Sequence, residues 1–150
     1  MDLLVDTGVL LRILDRRDAR HPAAIAALRH LRLRGHRLAT ATQNLREFWN
    51  ATTRPPGARG GYGRSPQQAR LRLAALERMF DILVESRTSH ERWRTLSIDL
   101  QVSGKQVHDA NLAALAFENG LAAVLTFNGS DFQRFSPLVV LSPEDALLIP

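Results

Sequence analysis

The chain has 150 residues, 45% of them apolar, and no cysteine, which sets aside disorder, a disulfide framework and thiolate metal sites. Its formal charge is +5 with a pI near 11.1, and all but one of its 20 basic side chains are arginine, Lys105 being the exception. Guanidinium groups pair well with phosphate, so nucleic acid is a natural partner, but an arginine bias on solvated faces produces the same charge and the number alone decides nothing. The length suits one domain over residues 1–150 with a real core. No apolar stretch approaches the roughly 20 residues of a membrane span. No basic segment followed by a long apolar run opens the chain, so no signal peptide and a cytoplasmic location are expected.

Leu3 to Val5 reads as a short buried strand, and Val9 to Leu14 as the start of a helix. Pro22 opens a second helix containing Ile25, Leu28 and Leu31, which Gly35 stops. Arg37 to Thr40 is the next strand, and Thr42 is the predicted N-cap of a helix through Trp49 to Thr52. Pro55-Pro56-Gly57 and Gly60-Gly61-Tyr62-Gly63 fit neither helix nor central strand, so 54–65 reads as a long exposed loop. Ser65-Pro66 starts a helix with Leu71, Leu73, Leu76 and Phe80, and Ile82 to Val84 is a third strand. Ser89 is the expected cap of a helix holding Trp93, Leu96 and Leu100; Val102 to Val107 is a turn segment. A helix from Asp109 to Asn119-Gly120 follows, then strands at Ala123 to Thr126 and Val139 to Leu141. Strands this short and apolar, alternating with helices, predict an α/β fold. A central, mainly parallel sheet of four to five strands would be covered by helices on both faces, as a three-layer α/β/α sandwich.

Four carboxylates sit at the mouths of these elements. Asp6 ends the first strand, Glu47 lies on the helix after the second, Asp109 opens an apolar helix, and Asp131 follows the strand Val124-Leu125-Thr126. In an open parallel sheet, sites lie beyond the C-terminal strand ends, so all four acids can converge there. Each has a simpler role available: a helix cap for Asp6, a dipole contact for Asp109, a surface ion pair for Glu47, a turn for Asp131. Their joint placement at one sheet edge is what points to chemistry. Clustered carboxylates repel, and a hard divalent cation such as Mg2+ or Mn2+ would neutralise them. Such a cation would activate water and offset phosphate charge, which is phosphodiester hydrolysis.

These residues also carry a likeness. Met1-Asp2-Leu3-Leu4-Val5-Asp6-Thr7-Gly8-Val9-Leu10-Leu11 resembles the opening strand of a PIN domain. Val102-Ser103-Gly104-Lys105-Gln106-Val107-His108-Asp109-Ala110 resembles the segment bearing its third acid, and Val124 to Phe132 its last motif. Size and element order agree over essentially the whole chain, and within the family the VapC toxins of bacterial toxin–antitoxin pairs are the most similar. The resemblance implies a PIN-like sandwich and a magnesium- or manganese-dependent ribonuclease. It implies metal ligation mainly by Asp6 and Asp109, with Glu47 and the last motif completing the pocket, either Asn128 or Asp131 reaching the metal. Thr126 would support that motif, and Thr7 would support Asp6 through its hydroxyl. A homodimer and a cognate antitoxin protein are implied as partners, beside the RNA substrate and with no membrane. Gly8 departs from the asparagine or serine common in the family and removes a polar group near Asp6.

The alternative is a catalytically inactive PIN-fold protein that binds RNA or regulates. A phosphotransfer enzyme with Asp6 as nucleophile fits less well, because a second aspartate two residues on is replaced by Gly8. Loop 54–65 could hold a nucleic-acid backbone, with Tyr62 for stacking. His21, His30, His36, His90 and His108 show no ligand-like pairing. Trp49 and Trp93 have helix-core spacing and read as packing residues, with a dimer interface as the other reading for one of them.

Overall fold

Apolar triplets build the sheet. In the computed structural model, which describes residues 1–150, the strands are β1 (Leu3–Val5), β2 (Leu38–Ala41), β3 (Asp81–Leu83), β4 (Ala123–Leu125) and β5 (Val139–Leu141). They lie in the order β3-β2-β1-β4-β5 and every pairing is parallel. The helices are α1 (Thr7–Ile13), α2 (His21–Leu33), α3 (Thr42–Thr53), α4 (Pro66–Met79), α5 (Arg87–Asp99), α6 (Gln106–Glu118) and the short α7 (Pro143–Ala146). The chain steps outward from β1 to β3 on one side, then crosses to β4 and β5 on the other. The reversal falls between β1 and β4, whose registers pair Leu3 with Ala123 and Val5 with Leu125. A parallel sheet opens a crevice at such a point, beyond its C-terminal strand ends.

The period-2 alternation of strand side chains divides the core in two. Leu3, Val5, Ala123 and Leu125 pack on one face with Val9, Leu10, Leu28, Leu31, Phe48 and Leu76 from α1 to α4. Leu4, Ala39, Ala41 and Val124 pack on the other with α6 and with Phe132, Phe135 and Leu138. In α6, Ala110, Ala113 and Ala116 are buried alongside Leu112 and Leu115. Small side chains let that helix lie close to the sheet. The expected three-layer α/β/α architecture is therefore observed, with five strands, all parallel. Only the outer strands depart from full burial, Asp81 of β3 and Val139 of β5 being exposed. No helix is long and apolar enough to cross a membrane.

Several boundaries differ from the sequence expectations, and in each case a polar side chain finds a different partner. The first helix starts at Thr7, because the Asp6 side chain caps it by accepting from the Thr7 N–H. Ala41, not Thr42, is the N-cap of α3: Asn44 Oδ1 accepts from the Ala41 N–H at 3.0 Å, while the Thr42 hydroxyl donates to Glu85 at 3.1 Å. Ser86, not Ser89, caps α5. Its hydroxyl accepts from the Ser89 N–H at 3.0 Å, and Ser89 Oγ accepts in return from the Ser86 N–H at 2.8 Å. The third strand ends at Leu83, leaving Val84 exposed.

Loop 54–65 is exposed over much of its length, yet it is folded back on α3. Tyr62, Gly63 and Arg64 donate their N–H groups to the carbonyls of Ala51, Arg54 and Thr52, satisfying acceptors that a helix end leaves open. Pro56 and Gly61 form a bridge. A Cβ on Gly61 would lie 2.4 Å from the Pro55 carbonyl oxygen, so only glycine permits this close backbone approach. His30 Nε2 lies 2.8 Å from the Ile149 carbonyl oxygen, and His36 lies between the amino terminus and the Pro150 carbonyl.

If Ser86 starts α5, Ser86→Ala costs about 1 kcal/mol of stability, read as a lower urea midpoint with an unchanged slope. An unaltered midpoint would show that the cap contributes nothing.

Candidate active site

The crevice between β1 and β4 is where the sequence placed its acids. Asp6 directly follows β1, and its N–H donates to the Leu125 carbonyl at the end of β4, 3.1 Å away. Its carboxylate is bound at both oxygens: Oδ1 accepts from the Thr7 N–H at 2.7 Å and Oδ2 from the Thr126 hydroxyl at 2.8 Å. Thr126 Oγ1 accepts in turn from the Asn128 N–H at 2.9 Å. Asp6 is buried. Burial pushes its carboxyl above the usual carboxylate range; the bonds from Thr126 and Thr7 oppose the shift, and the charges of Glu47 and Asp131 add to it.

Thr7 supports a different acid from the one expected. Its hydroxyl donates to Glu47 Oε2 at 2.6 Å, not to Asp6, because the α1 backbone presents the Thr7 N–H, and not the hydroxyl, to Asp6. Glu47 Oε1 accepts from Gln43 Nε2 at 2.8 Å, an i,i+4 contact on α3. Asn44 Nδ2 donates to Thr7 Oγ1 at 3.0 Å. The hydroxyl that holds Asp6 is that of Thr126.

Asp109 is half-buried in the first turn of α6. Its carboxyl is raised from 3.8 to about 6, first by burial and then by the charges of Asp131, Asp6 and Glu47, with His108 opposing. Asp131 is exposed in the turn Gly129–Asp131, and its charge reaches both Asp6 and Asp109. The structure thus brings the four acids into one electrostatic field. Asn128 is exposed and enters the network through its N–H.

None of the four is neutralised by an arginine. The five ion pairs of the chain use Asp15, Asp18, Asp81, Glu85 and Glu91. Arg12, one turn on from Gly8, donates to the Gly8 carbonyl at 3.1 Å, lies 3.5 Å from Asp18 and stacks over Phe127. The position of Gly8 has room: a Cβ there would be 3.8 Å from Asp6 Oδ2, an ordinary contact. No group of three or more acidic or histidine side chains is close enough to hold a metal ion without other ligands. The donors that are present, hard oxygens with unpaired charge, suit a cation that keeps most of its coordination in water, as magnesium does.

Sequence reasoning passed over three amides. Gln43 and Asn44 are buried at the start of α3, and Asn111 Nδ2 on α6 donates to Gln43 Oε1 at 2.8 Å. The i,i+4 spacing of Gln43 and Glu47 was a usable signal; the tie to Asn111 depends on tertiary packing. Two clefts open from Glu47. One of about 550 Å³ is lined by Gln43, Glu85, Trp93 and Asn111, the other of about 380 Å³ by Thr7, Arg12, Arg54, Arg59 and Tyr62.

Residues 3–136 match the family model of the PIN domain, and the chain belongs to that family. No curated protein sequence matches it. The fold is shared with solved structures at low identity. A VapBC2 complex from Rickettsia felis, bound to a DNA fragment from their promoter, aligns with a TM-score of 0.70 at 15% identity, over 95% of this chain and 98% of that one. A toxin–antitoxin complex from Klebsiella pneumoniae aligns at 0.62 and 22% identity, over 94% and 97%. VapC20 of Mycobacterium tuberculosis, described as a sarcin–ricin loop cleaving toxin, aligns at 0.60 and 20% identity, over 86% and 92%.

A raised aspartate pKa has a definite sign. The unfolded carboxyl titrates near 3.8 and the folded one near 6, so the fold binds this proton more tightly. Metal-free stability therefore falls as pH rises from 4 to 6 and stays low above. In chelator, Asp109→Asn should stabilise the protein above pH 6 by about 1 kcal/mol, a figure discounted for the half-exposed position. The gain should vanish by pH 4. Thermal melts across this range would reject the assignment if the variant's advantage were independent of pH.

Proposed function

We propose that this chain is a divalent-cation-dependent endoribonuclease, hydrolysing RNA phosphodiesters as the toxin of a type II toxin–antitoxin pair. The observation that supports the reading is the electrostatic coupling of Asp6 and Asp109 to each other and to Glu47 and Asp131, none of them in an ion pair in an arginine-rich chain. Support for the biological setting comes from PIN-family membership and from similar structures described as toxin–antitoxin complexes. On this reading the protein is cytoplasmic, forms a homodimer and is held by a small antitoxin protein.

Mg2+ or Mn2+ would be held directly by Asp6 and Asp109, with Glu47 and Asp131 acting through water, since the acids do not form a closed cage. A bound divalent cation supplies charge neutralisation at the phosphate and a more acidic water. The remaining work falls to the protein. Thr126 and the Thr7 N–H hold the Asp6 carboxylate in one orientation. Thr7 and Gln43 hold that of Glu47, keeping both acids rigid while their charges face the crevice. Arg12, Arg54 and Arg59, in the cleft beside Glu47, retain the flanking phosphates of a polyanion that the acids alone would repel. In the reaction the oxygen of a water bonds to phosphorus, the ester P–O bond breaks and the departing oxygen leaves as a hydroxyl after taking up a proton.

The test is cleavage of a structured-RNA pool in magnesium or manganese. Wild type should make discrete cuts that chelator abolishes, and Asp109→Asn should lose at least about a hundredfold in rate. Thr126→Val, which leaves every acid in place, should lose about tenfold through misorientation of Asp6. RNA binding without cutting across a broad substrate set would favour the inactive, RNA-binding reading instead.

A further inference from the structure

The larger cleft beside Glu47 has the chemistry of a binding site for one flat, polar-edged group. Its aromatic wall is Trp93, whose indole Nε1 donates to the Val107 carbonyl at 3.1 Å and so fixes the ring plane. His90, one turn earlier on α5, lies against it with ring centroids 5.4 Å apart and planes 35° from parallel. Trp93 keeps part of its surface open to the cleft, although it is the large aromatic of its helix and sits at core spacing.

The facing wall is a chain of hydrogen-bonding groups. Asn111 donates to Gln43, Gln43 to Glu47, and Arg46 Nη2 to Glu85 at 3.1 Å. Asn111 Nδ2 donates to Gln43 and, at 3.4 Å, to Glu85, its Oδ1 accepts from no group of the chain, and Arg46 is two-thirds exposed. Both donors and acceptors therefore border a volume of about 550 Å³, within the range of small-ligand pockets. Glu47 belongs to this wall and to the acid group. Glu47 is thus the side chain shared by the cleft and the proposed site of cleavage, and His108, next to Asp109, also lines the cleft.

From this juxtaposition we infer that the cleft between α3, α5 and α6 binds a single unpaired nucleobase adjoining the cleaved phosphodiester, stacked on Trp93 and read at its edge by Gln43, Arg46, Glu85 and Asn111. The inference rests on the ribonuclease reading for its substrate. A paired base has both faces covered by its neighbours, so the cleft selects single-stranded RNA, where an aromatic platform is worth most. Trp93 is then a specificity residue, and His90 is a positioning residue that supports its ring.

The experiment separates the subsite from the chemistry. In the cleavage-impaired Asp109→Asn protein carrying Trp49→Phe, emission comes from Trp93 alone. A single-stranded RNA hexamer should quench it, and ribose 5-phosphate, which has the sugar and phosphate without the base, should not. In the catalytically intact protein, Trp93→Leu should lower kcat/KM by about tenfold or more and shift the cut positions, and Trp93→Tyr should restore much of the loss; dependence on the metal should be the same in all three. A hexamer that binds by anisotropy without quenching, or that does not bind, overturns the subsite, as does a folded Trp93→Leu enzyme with unchanged kcat/KM and cuts. Quenching in a protein that cuts no RNA would instead overturn the nuclease reading and leave the base site standing.

Discussion

The carboxylate of Asp6 is the joint on which the structure turns. One oxygen caps α1 and the other ties β1 to the residue after β4, so a single side chain joins a helix start to the sheet's point of reversal. Removing either bond would leave a buried charge without its partner, the most expensive kind of unmet polar group. The same two bonds aim the carboxylate, so the requirement of the fold and that of the site are met by one geometry. Thr7 extends this economy: its N–H serves Asp6 while its hydroxyl serves Glu47, which fixes α1 against α3.

Around that joint none of the four acids forms an ion pair with an arginine. The guanidinium of Arg12 is drawn to Gly8, Asp18 and Phe127. Asp6 and Asp109 are both raised above the usual carboxylate range, first by burial and then by the charges of Glu47 and Asp131, which costs the free fold stability. A cost of this kind is usual at functional sites, where stability and activity pull in different directions.

Much of this was legible in the residues. Apolar triplets bounded by helical runs specify a parallel sheet, and a sheet of that order dictates where Asp6 and Thr126 must lie. The helix starts were harder to read. Ser86 and Ser89 are equally good capping residues by type, and Ala41 has no polar side chain to announce itself; Asn44, three residues on, does that work. Thr7 was assigned to the right cluster but to the wrong acid, because a helix cap sends the backbone and the side chain of one residue to different partners. Asn111 could not be found from local spacing at all. Its partner, Gln43, is 68 positions away, and only the packing of α3 beside α6 brings them together.

The bond from Thr126 to Asp6 spans 120 positions of chain. Synthesis runs from the N-terminus, and a parallel strand cannot pair before its partner exists. A ribosome that has made β1 to β3 and α1 to α6 has delivered Asp6, Glu47 and Asp109, but β4 has yet to dock beside β1, and Oδ2 of Asp6 has no hydroxyl to meet. Contacts of such long range form late and slowly. The crevice is therefore completed only once β4 and Thr126 have been made and docked, and a chain that stops short of them carries the acids without the bond that aims Asp6.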